Sequence, residues 1–199
     1  MTIDEGAAPV APTAPTVPEL LAQLAALDAR LAALEPLQDE RDISRLMHRY
    51  IEACDHVRRA PYTASMFTTD AVWEGTNRYA EFGVTEGRDA IEAMFVDTPE
   101  LLPFTAHWLT NAVVDVAEDR RSAVGRWEVI QAATFGRSGT PVWVAARYDN
   151  EFVRTEQGWL IHHIRYADVF VTPFDAGWAA TPYVSPFTED GSVPAPAEA

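Results

Sequence analysis

The sequence predicts one α+β domain, a cone-shaped α+β barrel in which a curled antiparallel sheet is packed by N-terminal helices. Apolar residues recur at helical spacing in the first third of the chain, and the second half holds four long runs rich in Val, Ile, Trp, Phe and Tyr. Short polar turns separate these runs. Helices followed by strands are typical of an α+β fold rather than of a parallel βαβ sheet.

The chain is expected to begin with a tail and one amphipathic helix. Residues 1–17 are mostly Ala, Pro, Thr and Val, a composition that cannot bury a core, so they are predicted to be disordered. Residues 18–36 are predicted to form a helix that Pro36 interrupts. This helix either packs on its own domain or pairs with another chain through a heptad-like seam of leucines (Leu20, Leu24, Leu27, Leu31 and Leu34).

The domain itself is predicted to span residues 37–184 and to open with a helix from Leu37 to His56, with one buried face. A short helix at 62–67, a short strand at 71–74 and a helix at 88–95 should follow. The tail at 185–199, rich in Pro, Ala and Glu, is predicted to be disordered. The four long runs predict an antiparallel meander (Phe104–Val116, Ser122–Phe135, Thr140–Thr155 and Trp159–Thr172).

Composition excludes several classes of function. A formal charge of −15 argues against binding to nucleic acid or to an anionic membrane surface. All 15 cationic residues are Arg, so lysine Schiff-base chemistry is excluded. One cysteine, no basic leader and no run of 18 apolar residues indicate a cytoplasmic protein. Adjacent His162 and His163 point to opposite faces of a strand, so we expect no metal and no cofactor.

A curled sheet covered by helices can enclose a cavity, and two polar residues in apolar segments are candidates to line it. His107 lies inside a long predicted strand, on one face with Leu109, Asn111 and Val113. Asp55 ends the apolar face of the second helix, soon after Tyr50. Taken singly, the histidine could be an ordinary core or surface residue and the aspartate a solvated one.

Five segments of the chain form a recognisable pattern, namely Tyr50-Ile-Glu-Ala-Cys-Asp55, Met66-Phe-Thr-Thr-Asp-Ala-Val-Trp73, Gly87-Arg-Asp-Ala-Ile91, His107-Trp-Leu-Thr-Asn111 and Gly158-Trp-Leu-Ile161. In their order and spacing they resemble the SnoaL-like group of the nuclear transport factor 2-like superfamily. The resemblance covers residues 37–170. Several eliminating members of that superfamily use an Asp–His dyad assisted by a Tyr, which implies that Asp55, His107 and Tyr50 are catalytic here.

The resemblance also implies a polar residue from the second long strand, which is Gln131, with Arg126 and Glu128 as alternatives if the register differs. Arg165 corresponds to a later arginine of the dehydrochlorinase members. The acidic residue that the family often carries in the loop after Asp55 is missing. Together with the aromatic residues, the expected substrate-binding set is Asn111, Trp73, Trp108, Trp127, Gln131, Tyr148, Arg165 and Phe170.

These expectations describe a cofactor-independent dehydratase or related lyase that acts on a hydrophobic, cyclic, carbonyl-bearing substrate. An imidazole oriented by a buried carboxylate can abstract a proton next to a carbonyl and return it to a leaving hydroxyl. An aldol-type cyclase, a double-bond isomerase and a non-catalytic ligand-binding or structural subunit stay open as alternatives. Apolar residues on the outer face of the sheet favour a homodimer or a higher homo-oligomer.

Overall fold

The first helix, α1 (Val17–Glu52), is longer than the sequence predicts. A computed structural model describes residues 15–189, so most of the predicted tail at 1–17 lies outside the described residues, and Val17 already belongs to the helix. The predicted interruption at Pro36 is wrong, because α1 runs through it. An internal proline costs about 3 kcal/mol, and the strong helix formers on both sides of it outweigh that cost.

The described chain divides after Leu37 into two units. The described part of the first unit is the N-terminal portion of α1, whose seam leucines are all exposed. The second unit starts at Gln38 and holds every other element. None of the helices within residues 15–189 has the length and apolar character needed to cross a membrane.

After α1, the second unit continues with a π-helical turn (Ala53–Val57), which ends in a left-handed residue, Arg58. The remaining elements are α2 (Ala60–Ala64), β1 (Phe67–Thr76), a 3-10 turn (Asn77–Phe82), β2 (Val84–Glu86), α3 (Arg88–Leu101), β3 (Phe104–Val116), β4 (Ser122–Thr134), β5 (Pro141–Thr155) and β6 (Gly158–Pro173).

All six strands form one curled, unclosed sheet in the order β2-β1-β6-β5-β4-β3. The last four strands are an antiparallel meander, as the sequence predicts, and their bounds differ from the predicted ones by no more than one residue. β1 pairs antiparallel with β2 and parallel with β6. The predicted α+β fold class is therefore confirmed.

The C-terminal part of α1 contributes to the core of the second unit and is anchored by a buried acid. Ile43, Leu46, Met47 and Tyr50 are buried at helical spacing. Asp39, which is 1% exposed, accepts hydrogen bonds from Arg120 Nε at 2.6 Å, from Arg154 and from Trp159 Nε1 at 3.3 Å. Because these partners lie in the β3–β4 turn, β5 and β6, one carboxylate joins the helix to three parts of the sheet.

Bulges change which strand residues face inwards. In β3 the register shifts between Thr110 and Val113, where Asn111 has φ of 51°. In β6, His162 and Val169 are each an extra residue without a partner in the ladder with β5. Since alternate strand residues point to opposite faces, each extra residue exchanges the two faces of the strand beyond it.

The described segment that follows β6 packs on the fold, and it includes Ser185, the first residue of the predicted tail. Tyr183 pairs with Val171 of β6, and Ser185 is fully buried. Both side chains donate hydrogen bonds to the carboxylate of Glu81 in the 3-10 turn, from the Tyr183 hydroxyl and, at 2.8 Å, from Ser185 Oγ. These bonds give Tyr183 and Ser185 a place in the fold that composition alone does not reveal. Residues 190–199 lie outside the described residues.

Candidate active site

The carboxylate of Asp55 contacts His107 at two atoms. Asp55 Oδ1 is 2.6 Å from the ring nitrogen Nδ1, and Asp55 Oδ2 accepts a hydrogen bond from the backbone N–H of His107 at 2.8 Å. The side chains of His107 and Asp55 are only 9% and 5% exposed. A carboxylate bound to Nδ1 requires a proton on that nitrogen, so the neutral ring presents Nε2 as a base.

Local backbone geometry brings the two residues together. Asp55 lies in the π-helical turn at the end of α1, and Arg58 ends that turn with φ of 49° and a backbone hydrogen bond to the carbonyl of Ala53 at 2.7 Å. The Arg58 guanidinium donates to the carbonyls of Leu102 and, at 3.3 Å, of Pro103, directly before β3. The turn that holds the acid is thereby fastened to the strand that holds the histidine.

Two opposing effects set the pKa of Asp55. Burial raises it, but the hydrogen bonds from the ring and the backbone of His107, with the charge of that ring, outweigh burial and leave the pKa of Asp55 below its ordinary value. Asp55 is therefore an ionised carboxylate at neutral pH. It can stabilise a positive charge on the ring when His107 takes up a proton.

His107 lines a cavity of about 280 Å³ between the sheet, α3 and the segment after β6. Its wall is mainly aromatic and aliphatic, with a few polar groups, which is typical of a small-molecule site. The lining residues are Tyr50, Cys54, Trp73, Glu81, Phe82, Met94, Phe95, Asp97, Thr98, Leu101, Leu102, His107, Gln131, Tyr148, Tyr166 and Phe187.

Tyr50 places a hydroxyl in this wall close to the dyad. The Tyr50 oxygen accepts a hydrogen bond from Trp73 Nε1 at 3.2 Å, and the side chain is 2% exposed. Burial, with the neighbouring Cys54 as a second cause, raises the pKa of Tyr50 well above its usual value. Burial likewise raises the pKa of Cys54 to about 12. Both groups are therefore protonated at neutral pH, so Tyr50 can donate a hydrogen bond and Cys54 is not a thiolate nucleophile.

Gln131 lies directly opposite His107 in the β3–β4 ladder and is 3% exposed. Its carbonyl oxygen Oε1 accepts a hydrogen bond from the Tyr166 hydroxyl at 3.1 Å. The Tyr166 ring packs edge-on against Tyr148, with 4.9 Å between the centroids. The hydrogen bond from Tyr166 orients the Gln131 amide, so its NH₂ group is available as a donor beside His107. The register thus selects Gln131 over its alternatives Arg126 and Glu128.

Five residues of the expected substrate-binding set do not line the cavity. Trp108 is 51% exposed on the opposite face of β3, where its ring centroid lies 6.3 Å from that of Trp143. Trp127 is buried against Phe152, away from the cavity. The others are Asn111, Arg165 and Phe170.

Strand geometry explains the positions of four of these residues. Trp108 is adjacent to His107, so it must face the other way. Asn111 is exposed because it occupies the bulge in β3. Arg165 follows the bulge at His162 and pairs with Glu151 at 2.8 Å on the outer face, where His163 also lies. Phe170 follows the bulge at Val169 and stacks on Trp178.

The sequence interpretation missed two parts of the wall. The predicted helix at 88–95 continues to Leu101, and its apolar spacing could have revealed Met94, Phe95, Thr98 and Leu101 as one face. Phe187, which packs on Phe82 with ring centroids 4.7 Å apart, fell in the predicted tail. No local signal marks that contact.

The charges around the cavity limit what can bind. Among the described lining residues, Glu81 and Asp97 are acidic, and the one group that can carry a positive charge is His107. Within residues 15–189, no three His, Cys, Asp or Glu side chains are grouped closely enough to hold a metal ion. The site favours a neutral or weakly basic ligand over an anion.

A family model described as SnoaL-like domain matches residues 35–165. A candidate aromatic ring hydroxylase from Novosphingobium aromaticivorans is 29% identical, with 69% of this chain and 94% of that chain covered and a TM-score of 0.61. No curated protein matches the chain.

Two more distant structures share the fold. A candidate scytalone dehydratase from Novosphingobium aromaticivorans is 19% identical over 74% of this chain and 94% of that chain, with a TM-score of 0.62. A hexachlorocyclohexane dehydrochlorinase, LinA-type3, from Novosphingobium barchaimii is 20% identical over 73% of this chain and 92% of that chain, with a TM-score of 0.58. At these identities the likeness establishes the fold alone.

Proposed function

The chain belongs to the SnoaL-like family, and from that we propose that it is a lyase that removes water from a neutral, hydrophobic, ring-containing substrate with a carbonyl group. The observation that carries the proposal is the Asp55–His107 contact of 2.6 Å on the wall of a largely apolar cavity. General acid–base catalysis by such a pair contributes about 10²–10⁴-fold to a rate.

In the proposed reaction, His107 Nε2 removes a proton from the carbon next to the carbonyl of a β-hydroxy ketone. The electron pair of that C–H bond moves towards the carbonyl oxygen and forms an enolate, while Asp55 stabilises the imidazolium. The enolate then reforms the carbonyl and expels the β-hydroxyl group. That group takes the proton from His107 and leaves as water, with a carbon–carbon double bond in the product.

Two donors are available for the enolate oxygen. The Tyr50 hydroxyl is protonated at neutral pH because burial raises its pKa, and the Gln131 amide is oriented by Tyr166 beside His107. Removal of one such donor typically costs about 10²–10³-fold in kcat. Asn111, a donor expected from the sequence, has no place in the mechanism because it lies outside the cavity.

Cavity size and charge favour a small neutral substrate. The cavity volume of about 280 Å³ is small for a ligand pocket, which argues for a substrate with one ring or two fused rings. One structural neighbour is named as an aromatic ring hydroxylase, and another as a hexachlorocyclohexane dehydrochlorinase, a name that refers to a six-membered ring. A ring of that size would fit between the aromatic side chains of the wall.

The proposal can be tested with a β-hydroxy tetralone, a two-ring β-hydroxy ketone that becomes a naphthol when it loses water. Naphthol fluorescence reports dehydration, and deuterium uptake next to the carbonyl in D₂O reports proton abstraction. We expect His107→Ala and Asp55→Asn to lower both rates by about 10²–10⁴-fold. His162→Ala, which changes a histidine outside the cavity, is the matched control.

The outcomes separate the competing functions. Deuterium uptake that depends on His107 without loss of water would favour the isomerase or cyclase. Binding without uptake or turnover would favour a ligand-binding subunit. Uptake or turnover that is equal in wild type and both dyad variants would exclude the proposed role of the pair.

A further inference from the structure

The N-terminal portion of α1 carries a regular apolar seam that is exposed along its whole length. Over three heptads, Val17, Leu24 and Leu31 occupy position a, and Leu20, Leu27 and Leu34 occupy position d. All six are between 44% and 69% exposed, and the seam runs for about 26 Å along the helix. An apolar strip of this length is typical of an interaction site.

The residues around the seam are suited to a helix partner. Position f, opposite the seam, holds Ala22, Ala29 and Pro36, so the proline lies where it cannot obstruct a neighbouring helix. Positions b and c hold Ala25, Ala26, Ala32 and Ala33, which are strong helix formers. The segment therefore combines strong helix formers with one exposed apolar face.

Charges beside the seam identify the partner as a second copy of this chain. In a parallel pair of helices, a g residue of one chain lies next to the e residue five positions further on in the other chain. Here Arg30 is at g and Glu35 is at e, so the pair is attractive and occurs twice by symmetry. In the antiparallel arrangement, e residues face e residues and g residues face g residues, so Arg30 and Glu35 would not meet.

We propose that residues 17–37 form a parallel two-stranded coiled coil with the same segment of a second chain. The leucines at a and d bury each other, and Arg30 of one chain pairs with Glu35 of its partner. The function of the helix extension is then assembly of the enzyme, independent of the dyad and of the reaction in the cavity.

The molar mass of the full chain in solution tests the proposal. Light scattering at micromolar concentration should give twice the chain mass of 22.0 kDa. Leu27→Glu, which places a charge in the seam, should reduce the mass to one chain. The matched control is Ala29→Glu, the same introduced residue at position f, and it should leave two chains. A one-chain mass for the wild type, or a two-chain mass for a folded Leu27→Glu variant, would overturn the proposal.

Two further measurements test the orientation. Arg30→Glu should weaken the dimer by about tenfold at low salt, and adding Glu35→Arg to it should restore the affinity. In a Cys54→Ala background, Leu20→Cys and Leu31→Cys should each form a disulfide-linked dimer on their own. Cross-linking only when these two variants are mixed would instead establish an antiparallel pair and contradict the proposed orientation.

Discussion

Asp55 binds both the backbone N–H and the imidazole ring of His107, since each of its two carboxylate oxygens accepts a hydrogen bond from a different part of that residue. The backbone bond fixes the position of the strand, and the ring bond fixes the orientation of the imidazole. The same carboxylate is thus part of the fold and of the proposed reaction, so changes at Asp55 should affect stability and activity together.

We expect Asp55→Asn to lower the free energy of unfolding at pH 7 by about 1.5–3 kcal/mol, because hydrogen bonds to a charged group are lost. Folding lowers the pKa of Asp55, so its contribution is present above its ordinary pKa of 3.8 and is lost as the pH falls through the lowered value. Urea unfolding at a series of pH values should show the difference between wild type and variant shrink in acid. Asp115→Asn, an exposed change on β3, should have little effect.

Cys54 should react slowly with thiol reagents in the folded protein. With a pKa of about 12, only about 10⁻⁴ of the thiol is ionised at pH 8, against about a quarter for a free cysteine. Labelling should therefore be about 10³-fold slower than for Ala93→Cys, an exposed control placed in a Cys54→Ala background. A rate for Cys54 equal to that of the control in the folded state would contradict the raised pKa of its thiol.

Asp39 should be one of the residues most important for stability. Asp39→Ala leaves the cations of Arg120 and Arg154 without their buried partner, and such a loss costs about 3–5 kcal/mol. Asp42→Ala, three residues along the same helix, removes an exposed pair with Arg45 and should cost less than about 1 kcal/mol. Denaturant unfolding curves measure both. Equal effects for the two variants would argue against the anchoring role of Asp39.

Glu81 should control how firmly the segment after β6 covers the cavity. Glu81→Ala removes the acceptor for Tyr183 and Ser185, so amide exchange over residues 181–187 should become about 10- to 100-fold faster. Since Phe187 belongs to the cavity wall, the KM for any substrate should rise as well. Glu86→Ala, an exposed change on β2, is the control. Unchanged exchange in Glu81→Ala would show that packing alone holds the segment.

The long strands could be predicted because their apolar runs and polar turns are local features. The contact between Asp55 and His107 could be inferred only through the family resemblance, since the residues are far apart in sequence and each has an ordinary alternative role. The sequence predicts a helix only over residues 88–95, whereas α3 continues to Leu101 through Pro99, a residue that ordinarily marks a helix end.

The expected substrate-binding residues on β3 and β6 that lie outside the cavity have a common cause. A period of two shows which strand residues share a face, but only the folded sheet shows which face is concave. The argument that separated His162 from His163 applies equally to His107 and Trp108, so Trp108 could have been excluded from the sequence. The bulges at Asn111, His162 and Val169 could not be predicted from the sequence, because an extra residue in a ladder depends on the neighbouring strand.

The two bulges of β6 have a consequence for how such a pocket can change. Between them, Tyr166 points inwards and Arg165 outwards. Were His162 paired in the ladder instead of bulged, the residues that follow it would each move one position along β5, and Arg165 would lie opposite Tyr148 in the place of Tyr166. A slip of one residue in strand pairing can thus convert a neutral chamber into a cationic one without any substitution in the sequence, a route by which homologues could come to accept acids.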